Sequence, residues 1–239
     1  MAEALPLALI HGSGDSHQAW DALCAHLPGV TCVTLDLPGH GARAGEPLKD
    51  GVSIAGYAAD AWAQLASRGI ERCVLGGHSL GSAIALRMAV DDPDMVAGVL
   101  LIGSGARLRV LPALLDAARN NQAATQAQMG TISFGGAHQD LAREYIAKML
   151  PTTAGALYHD LAACNAFDMM AELPSITQPA LVISGEEDKL TPVKYATYLS
   201  EHLPRATTLI IPGMGHYVQV EAPERVAQAI QAWLPGVPA

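Results

Sequence analysis

Gly77-His78-Ser79-Leu80-Gly81 lies where an apolar run, Arg72-Cys73-Val74-Leu75, meets a helix-like run from Ser82 to Ala89. A chain that passes from strand to helix in five residues turns sharply, and the residue at the apex takes a strained backbone conformation. Gly77 and Gly81 stand two positions either side of Ser79, where a Cβ would collide with the folded-back neighbouring backbone. Such a turn lifts the serine hydroxyl clear of a sheet. It also aims the first N–H groups of the helix at any negative charge that develops there. Ser79 reads as a nucleophile.

The surrounding pattern is α/β. Short apolar runs predict strands near Leu5–Ile10, Val30–Leu35, Cys73–Gly76, Gly98–Ile102, Ala180–Ser184 and Thr207–Ile211. Helical patterns fall near Trp20–His26, Ile54–Arg68, Ser82–Asp91, Val193–His202 and Pro223–Trp233. Strand and helix in alternation give βαβ units and a mostly parallel sheet with helices on both faces. Half of the 239 residues are hydrophobic, enough to bury such a sheet in one sizeable domain. Between Ser104 and Leu173 the rhythm stops. That stretch reads as helices over Val110–Gln128, Gln139–Leu150 and Gly155–Asn165, with a short one at Asp168–Leu173.

Two further stations suit a serine nucleophile. A histidine ends a glycine-rich turn, Pro212-Gly213-Met214-Gly215-His216, and an acid follows a late strand in Gly185-Glu186-Glu187-Asp188. A serine hydroxyl needs a base within hydrogen-bond reach, and imidazole can both take and return the proton near neutral pH. A carboxylate on the other ring nitrogen fixes the tautomer and stabilises the imidazolium. The chain order Ser, acid, His is that of one hydrolase fold.

These residues resemble the α/β-hydrolase superfamily, in its serine esterase-like branch. The likeness lies in His11-Gly12-Ser13-Gly14 after the first strand, Asp36-Leu37-Pro38-Gly39-His40-Gly41 after the second, the Ser79 turn, Asp188 and His216. It implies an α/β-hydrolase fold with a roughly six-stranded sheet, trimmed of the antiparallel strand pair that opens larger members. It also implies a core over 1–104 and 174–239, and a helical cap over 105–173 inserted after the Gly98–Ile102 strand. By the same resemblance Asp188, ahead of Lys189-Leu190-Thr191-Pro192, is the acid rather than Glu186 or Glu187. Ser79, Asp188 and His216 form the catalytic triad, and the backbone N–H groups of Ser13 and Leu80 form the oxyanion hole. In the cap, Met129, Ile132, Phe134, Met149, Leu150, Leu157, Phe167, Met169 and Met170 would make an apolar ceiling. Among these, Phe134, Met129 and Met169 are the substrate-binding candidates. Asp36, His40 and His78 read as loop scaffolding and Trp20 as a packing anchor.

Other chemistries are narrowed by what the chain lacks. The run Gly12-Ser13-Gly14 would need glycine at His17 to be a dinucleotide fingerprint, and no Gly-Lys-Ser/Thr phosphate loop occurs. Cys24, Cys32, Cys73 and Cys164 have no metal-ligand spacing and read as reduced packing residues, so no metal or cofactor is expected. A net charge of −9 without a basic cluster argues against nucleic acid or an anionic membrane as partner. Met1-Ala2-Glu3-Ala4 lacks a basic leader and no run is long enough to span a bilayer, so a soluble cytoplasmic protein is expected, monomeric or a small homo-oligomer. Serine at position 79 excludes the aspartate-nucleophile dehalogenase and epoxide-hydrolase branches. The expected reaction is hydrolysis of small to medium carboxylic esters. Thioesterase, lactonase and carbon–carbon bond hydrolase chemistry stay open, as does a hydrolase-like receptor. Arg107 and Arg109, after Gly103-Ser104-Gly105, are candidates either for a solvated cap entrance or for holding an acidic group on a substrate.

Overall fold

A computed structural model describes residues 5–48 and 52–238, so Met1-Ala2-Glu3-Ala4 lies outside the described residues. Six strands form one all-parallel sheet in the order β2-β1-β3-β4-β5-β6. They are β1 Leu7–Ile10, β2 Cys32–Leu35, β3 Cys73–His78, β4 Val96–Ile102, β5 Ala180–Gly185 and β6 Ala206–Ile211. β1, β3, β4 and β5 are buried along their whole length, which is why they read as unbroken apolar runs.

Side-chain alternation along β1 sorts the two faces. Ala8 and Ile10 pack with α2 (Ile54–Ser67), α3 (Leu80–Asp91) and α8 (Val193–His202), through residues such as Tyr57, Ile84 and Leu199. Leu7 and Leu9 face Trp20, Leu23 of α1 (Asp21–Ala25) and Ile230 of α10 (Pro223–Trp233). A one-turn helix, α9 (Val218–Glu221), precedes α10. Trp20 is fully buried, as its anchoring role requires.

Four helices lie between β4 and β5: α4 Pro112–Asn120, α5 Gln122–Ser133, α6 Gln139–Lys148 and α7 Ala156–Ala166. The single helix expected over Val110–Gln128 is two. Asn121 breaks it at φ −152° and ψ 77°, and its side chain accepts the Ala124 N–H at 3.2 Å to cap α5. Asparagine gains more from capping than from a helix interior. The helix expected at Asp168–Leu173 is also absent. Asp168 instead bridges antiparallel to Arg107, and only a 3₁₀ turn at Leu173–Ser175 follows. The first helix is found at Asp21–Ala25, within the expected Trp20–His26, and a 3₁₀ turn His17–Trp20 leads into it. Among the described residues no helix is long and apolar enough to cross a membrane.

Candidate active site

Ser79 sits at the junction of β3 and α3 with φ 53° and ψ −113°, the only non-glycine residue of positive φ among those described. Strain of this kind costs roughly 1–3 kcal/mol and persists only where the surroundings impose it. Here they do. The Ser79 N–H donates to the Ile102 carbonyl at 2.9 Å, and the Ser82 hydroxyl ties back to the Gly77 carbonyl at 2.6 Å. A Cβ on Gly77 would fall on the Gly81 backbone, and one on Gly81 on the Ile10 carbonyl. The turn can close this tightly only with glycine at both places.

His216 is 2 % exposed and its backbone is held from three sides. Its N–H donates to the Ser133 carbonyl at 2.5 Å, and its carbonyl accepts from His78 Nε2 at 3.1 Å. Glu221 accepts the Gly215 N–H at 2.9 Å and the Gly135 N–H at 2.7 Å. Gly215 therefore serves close approach rather than mobility: a Cβ there would meet the backbone of residues 133–135. Because a carbonyl only accepts, His78 Nε2 carries the proton and its Nδ1, which is buried without a partner, carries none. Burial, with the neighbouring His216, holds the His78 pKa well below the usual imidazole value. His78 is thus a neutral strut.

Asp188 Oδ2 lies 2.7 Å from His216 Nδ1 and also accepts the Thr191 hydroxyl at 2.7 Å. Its Oδ1 accepts the N–H groups of Leu190 and Thr191 at 2.9 and 2.8 Å. Burial would raise this carboxyl, but His216 and the two hydrogen bonds from Thr191 outweigh it and hold the pKa below the ordinary range. Glu186 and Glu187 are exposed, and instead accept the Gly213 and Gly136 N–H groups.

Ser79 and His216 open onto one cavity of about 340 Å³. Among the described residues no hydrogen bond joins the Ser79 hydroxyl to His216 in this conformation. Such contacts are often long in the free enzyme and tighten around substrate. Ser13 lines the cavity, and its N–H donates to nothing among the described residues. Leu80 opens α3, so its N–H has no acceptor within the helix.

Of the three substrate-binding candidates only Met129 lines the cavity, with Met149, Leu157 and Leu161. Phe134 is 1 % exposed because its ring stacks on Tyr217 at 5.1 Å behind the site. Met169 follows the Arg107–Asp168 bridge and packs into the core, as does Phe167. Ile132 points to solvent. Cys164 does more than pack: it lines the cavity with Sγ 3.7 Å from Ser13 Oγ, and burial raises its thiol to about 12, which keeps it protonated.

Asp160, in the middle of α7, was not singled out by the sequence. It is fully buried, and its Oδ2 accepts the Gly14 N–H at 2.8 Å and His40 Nε2 at 2.9 Å. Its Oδ1 accepts the Tyr57 hydroxyl at 2.5 Å. His40 Nδ1 faces the Pro38 carbonyl at 3.0 Å. Both His40 nitrogens therefore face acceptors, and only an imidazolium satisfies both. Burial pushes His40 down and Asp160 up, yet their mutual charge and hydrogen bonds win, so His40 is raised and Asp160 lowered. His11 makes the contrast. It accepts from the Leu37 N–H, donates to the Gly12 carbonyl, and is driven by burial and by the His40 charge to about 4. Gln126 of α5 donates to the Gly14 carbonyl. Both backbone groups of Gly14, next to Ser13, are thus gripped by helices inserted between β4 and β5. Asp36 is the scaffold expected, accepting the His17 and Ala42 N–H groups and the His17 ring.

Residues 7–229 match the family model described as the alpha/beta hydrolase family. The chain belongs to that family. A pimeloyl-[acyl-carrier protein] methyl ester esterase of Nitrosomonas europaea is 26% identical, over 95% of this chain and 94% of its own. A solved thermophilic esterase is 30% identical with a TM-score of 0.79, covering 97% of this chain and 90% of that one. Another, from Thermogutta terrifontis with malate bound, is 25% identical with a TM-score of 0.85, covering 99% and 91%.

Proposed function

We propose that this α/β-hydrolase cleaves small to medium carboxylic esters through Ser79, His216 and Asp188. The observation that carries the reading is the pairing of a strained, cavity-facing Ser79 with a buried His216 whose Nδ1 is held 2.7 Å from Asp188. With Asp188 accepting the Nδ1–H, Nε2 is left free to take the Ser79 proton as Oγ attacks the ester carbonyl. The tetrahedral oxyanion lies against the N–H groups of Ser13 and Leu80, each donor lowering the barrier by about 3 kcal/mol. Imidazolium then returns the proton to the departing alcohol. The acyl-enzyme is hydrolysed by water through the same base, releasing the acid and restoring Ser79.

Residues 105–173 serve as a cap that roofs the cavity and, through Asp160 and Gln126, sets the loop carrying Ser13. A cavity near 340 Å³, whose apolar wall includes six Leu and two Met, fits acyl or alcohol groups of a few carbons rather than long lipids. The esterase names of the relatives support this reading. Ser79→Ala should lower turnover of p-nitrophenyl butyrate by roughly four to six orders of magnitude. Retention of most activity would end the assignment.

A further inference from the structure

The chain carries 23 acidic and 14 basic side chains, so a patch drawn from its surface should hold more acids than bases. The cavity holding Ser79 and His216 runs the other way. Its lining includes Arg109, Lys189 and Lys194 and no carboxylate. A second cavity of about 410 Å³ shares Arg109, Lys194 and Tyr195 with the first, adds Arg107, and again has no carboxylate. Arg107 is neutralised by Asp168, with Nε 3.3 Å from Oδ2. Arg109, Lys189 and Lys194 form no ion pair among the described residues. The nearest acid in sequence to Lys189 is Asp188, and its charge is taken up by His216 and Thr191 behind the wall.

All three free cations are exposed, while the wall beyond them is apolar, with Leu108, Leu157, Leu161 and Met129. Charge is thus welcome at the rim and costly deeper in. The first turn of α8, which carries Lys194 and Tyr195 to that rim, has no acid to offset its helix dipole. An anion arriving here finds a fork-shaped guanidinium and two ammonium groups whose water it need only partly displace. We propose that this rim is a carboxylate subsite, so that the preferred substrates are esters carrying a carboxylate at the end remote from the scissile carbonyl, joined to it by an apolar chain. Half-esters of aliphatic diacids are the simplest members of that class. The proposal rests on the esterase reading above and narrows its substrate.

The test compares monoethyl esters of C4 to C8 diacids with the matching ω-amide ethyl esters, which keep the length and lose the charge. At low salt the best acid should exceed its amide by roughly tenfold in kcat/KM. The ratio should shrink at 0.5 M NaCl, since exposed charges are screened within about 10 Å at a fifth of that salt. In Arg109→Gln/Lys194→Gln the acid-to-amide ratio should fall to near one, each enzyme's amide rate being its own reference. A ratio at or below one for every length in the unaltered protein, or a ratio unmoved by the double substitution, would overturn the subsite. Calorimetry with adipate against adipamide reads the subsite without turnover. Binding of adipate alone supports it even if no ester is cleaved, which would instead fault the esterase reading. Inorganic phosphate binding as tightly as adipate would overturn the requirement for a carboxylate on an apolar chain.

Discussion

Asp160→Asn is a sharp test of how the inserted helices are fastened over the site. The substitution keeps the shape of the side chain and an acceptor for the Gly14 N–H, but removes the counter-charge of a fully buried His40. His40 must then keep an unpaired buried charge, or lose a proton and set a lone pair against an oxygen, because its nitrogens face Asp160 and the Pro38 carbonyl at 2.9 and 3.0 Å. Removing one partner of a buried pair costs about 3–5 kcal/mol, a large share of the roughly 5–15 kcal/mol that holds a domain together. The penalty has a signed pH dependence. His40 is raised in the fold, so its contribution is complete below the ordinary imidazole pKa of about 6.5 and fades as pH climbs through the raised value. Asp160 is lowered, so its contribution is complete above about 3.8 and fades as pH falls through the depressed value. Urea unfolding of the unaltered protein, Asp160→Asn, His40→Gln and the double variant, in steps from pH 4 to 10, should show the largest loss near pH 6. The two single losses should be non-additive by at least about 2 kcal/mol. A loss under about 1 kcal/mol, a penalty flat with pH, or an additive cycle would refute the ion pair. Since Gly14 adjoins Ser13, kcat of Asp160→Asn should also fall with little change in KM.

Other outcomes follow from the same geometry. Asp188→Asn should cut kcat by roughly 10⁴, as loss of the orienting carboxylate does in serine triads, while Glu187→Gln stays near the unaltered rate. The reverse order in steady-state assays would move the acid. Asp15 is buried under the Tyr145 hydroxyl and is raised by burial to about 6, so the unfolded chain ionises it first and stability falls between about pH 4 and 6. Asp15→Asn should therefore be more stable at pH 8 by up to roughly 3 kcal/mol and unchanged at pH 3.5, as read by chemical denaturation. Turnover should be indifferent to EDTA. A chelator-dependent loss restored by a divalent ion would contradict a reaction run by side chains alone.

The sheet was legible because its four inner strands, buried on both faces, leave apolar runs and the two edge strands still carry apolar β-branched residues. Each expected strand matches an observed one to within two residues. β3 runs on to His78 past two glycines, since pairing with β1 and β4 holds backbone there that propensity alone would not. The inserted helices were harder. Their pattern marked helix but not the Asn121 break, where a side-chain cap competes with continuing the turn. In the proposed site, Ser79, Asp188 and His216 were candidates from the sequence because each sits in a local turn with its own chemistry. Asp160 could not, because Gly14, His40 and Tyr57 reach it from three distant segments. The one sign available was a carboxylate inside a helix face otherwise set by Leu157, Leu161 and Cys164. Phe134 and Met169, which lie away from the cavity, were hard to sort for a related reason: apolar residues between β4 and β5 look alike in sequence whether they face a cavity or pack elsewhere.

The central claim is that the Ser79 hydroxyl is the nucleophile, activated by His216. Incubation with a sulfonyl fluoride, followed by intact-mass and peptide mapping, should show one adduct per chain, on Ser79, formed in step with loss of activity. His216→Ala should slow that labelling by orders of magnitude. Full inactivation with the adduct on another residue, or an unmodified Ser79 in a fully inhibited enzyme, would contradict it.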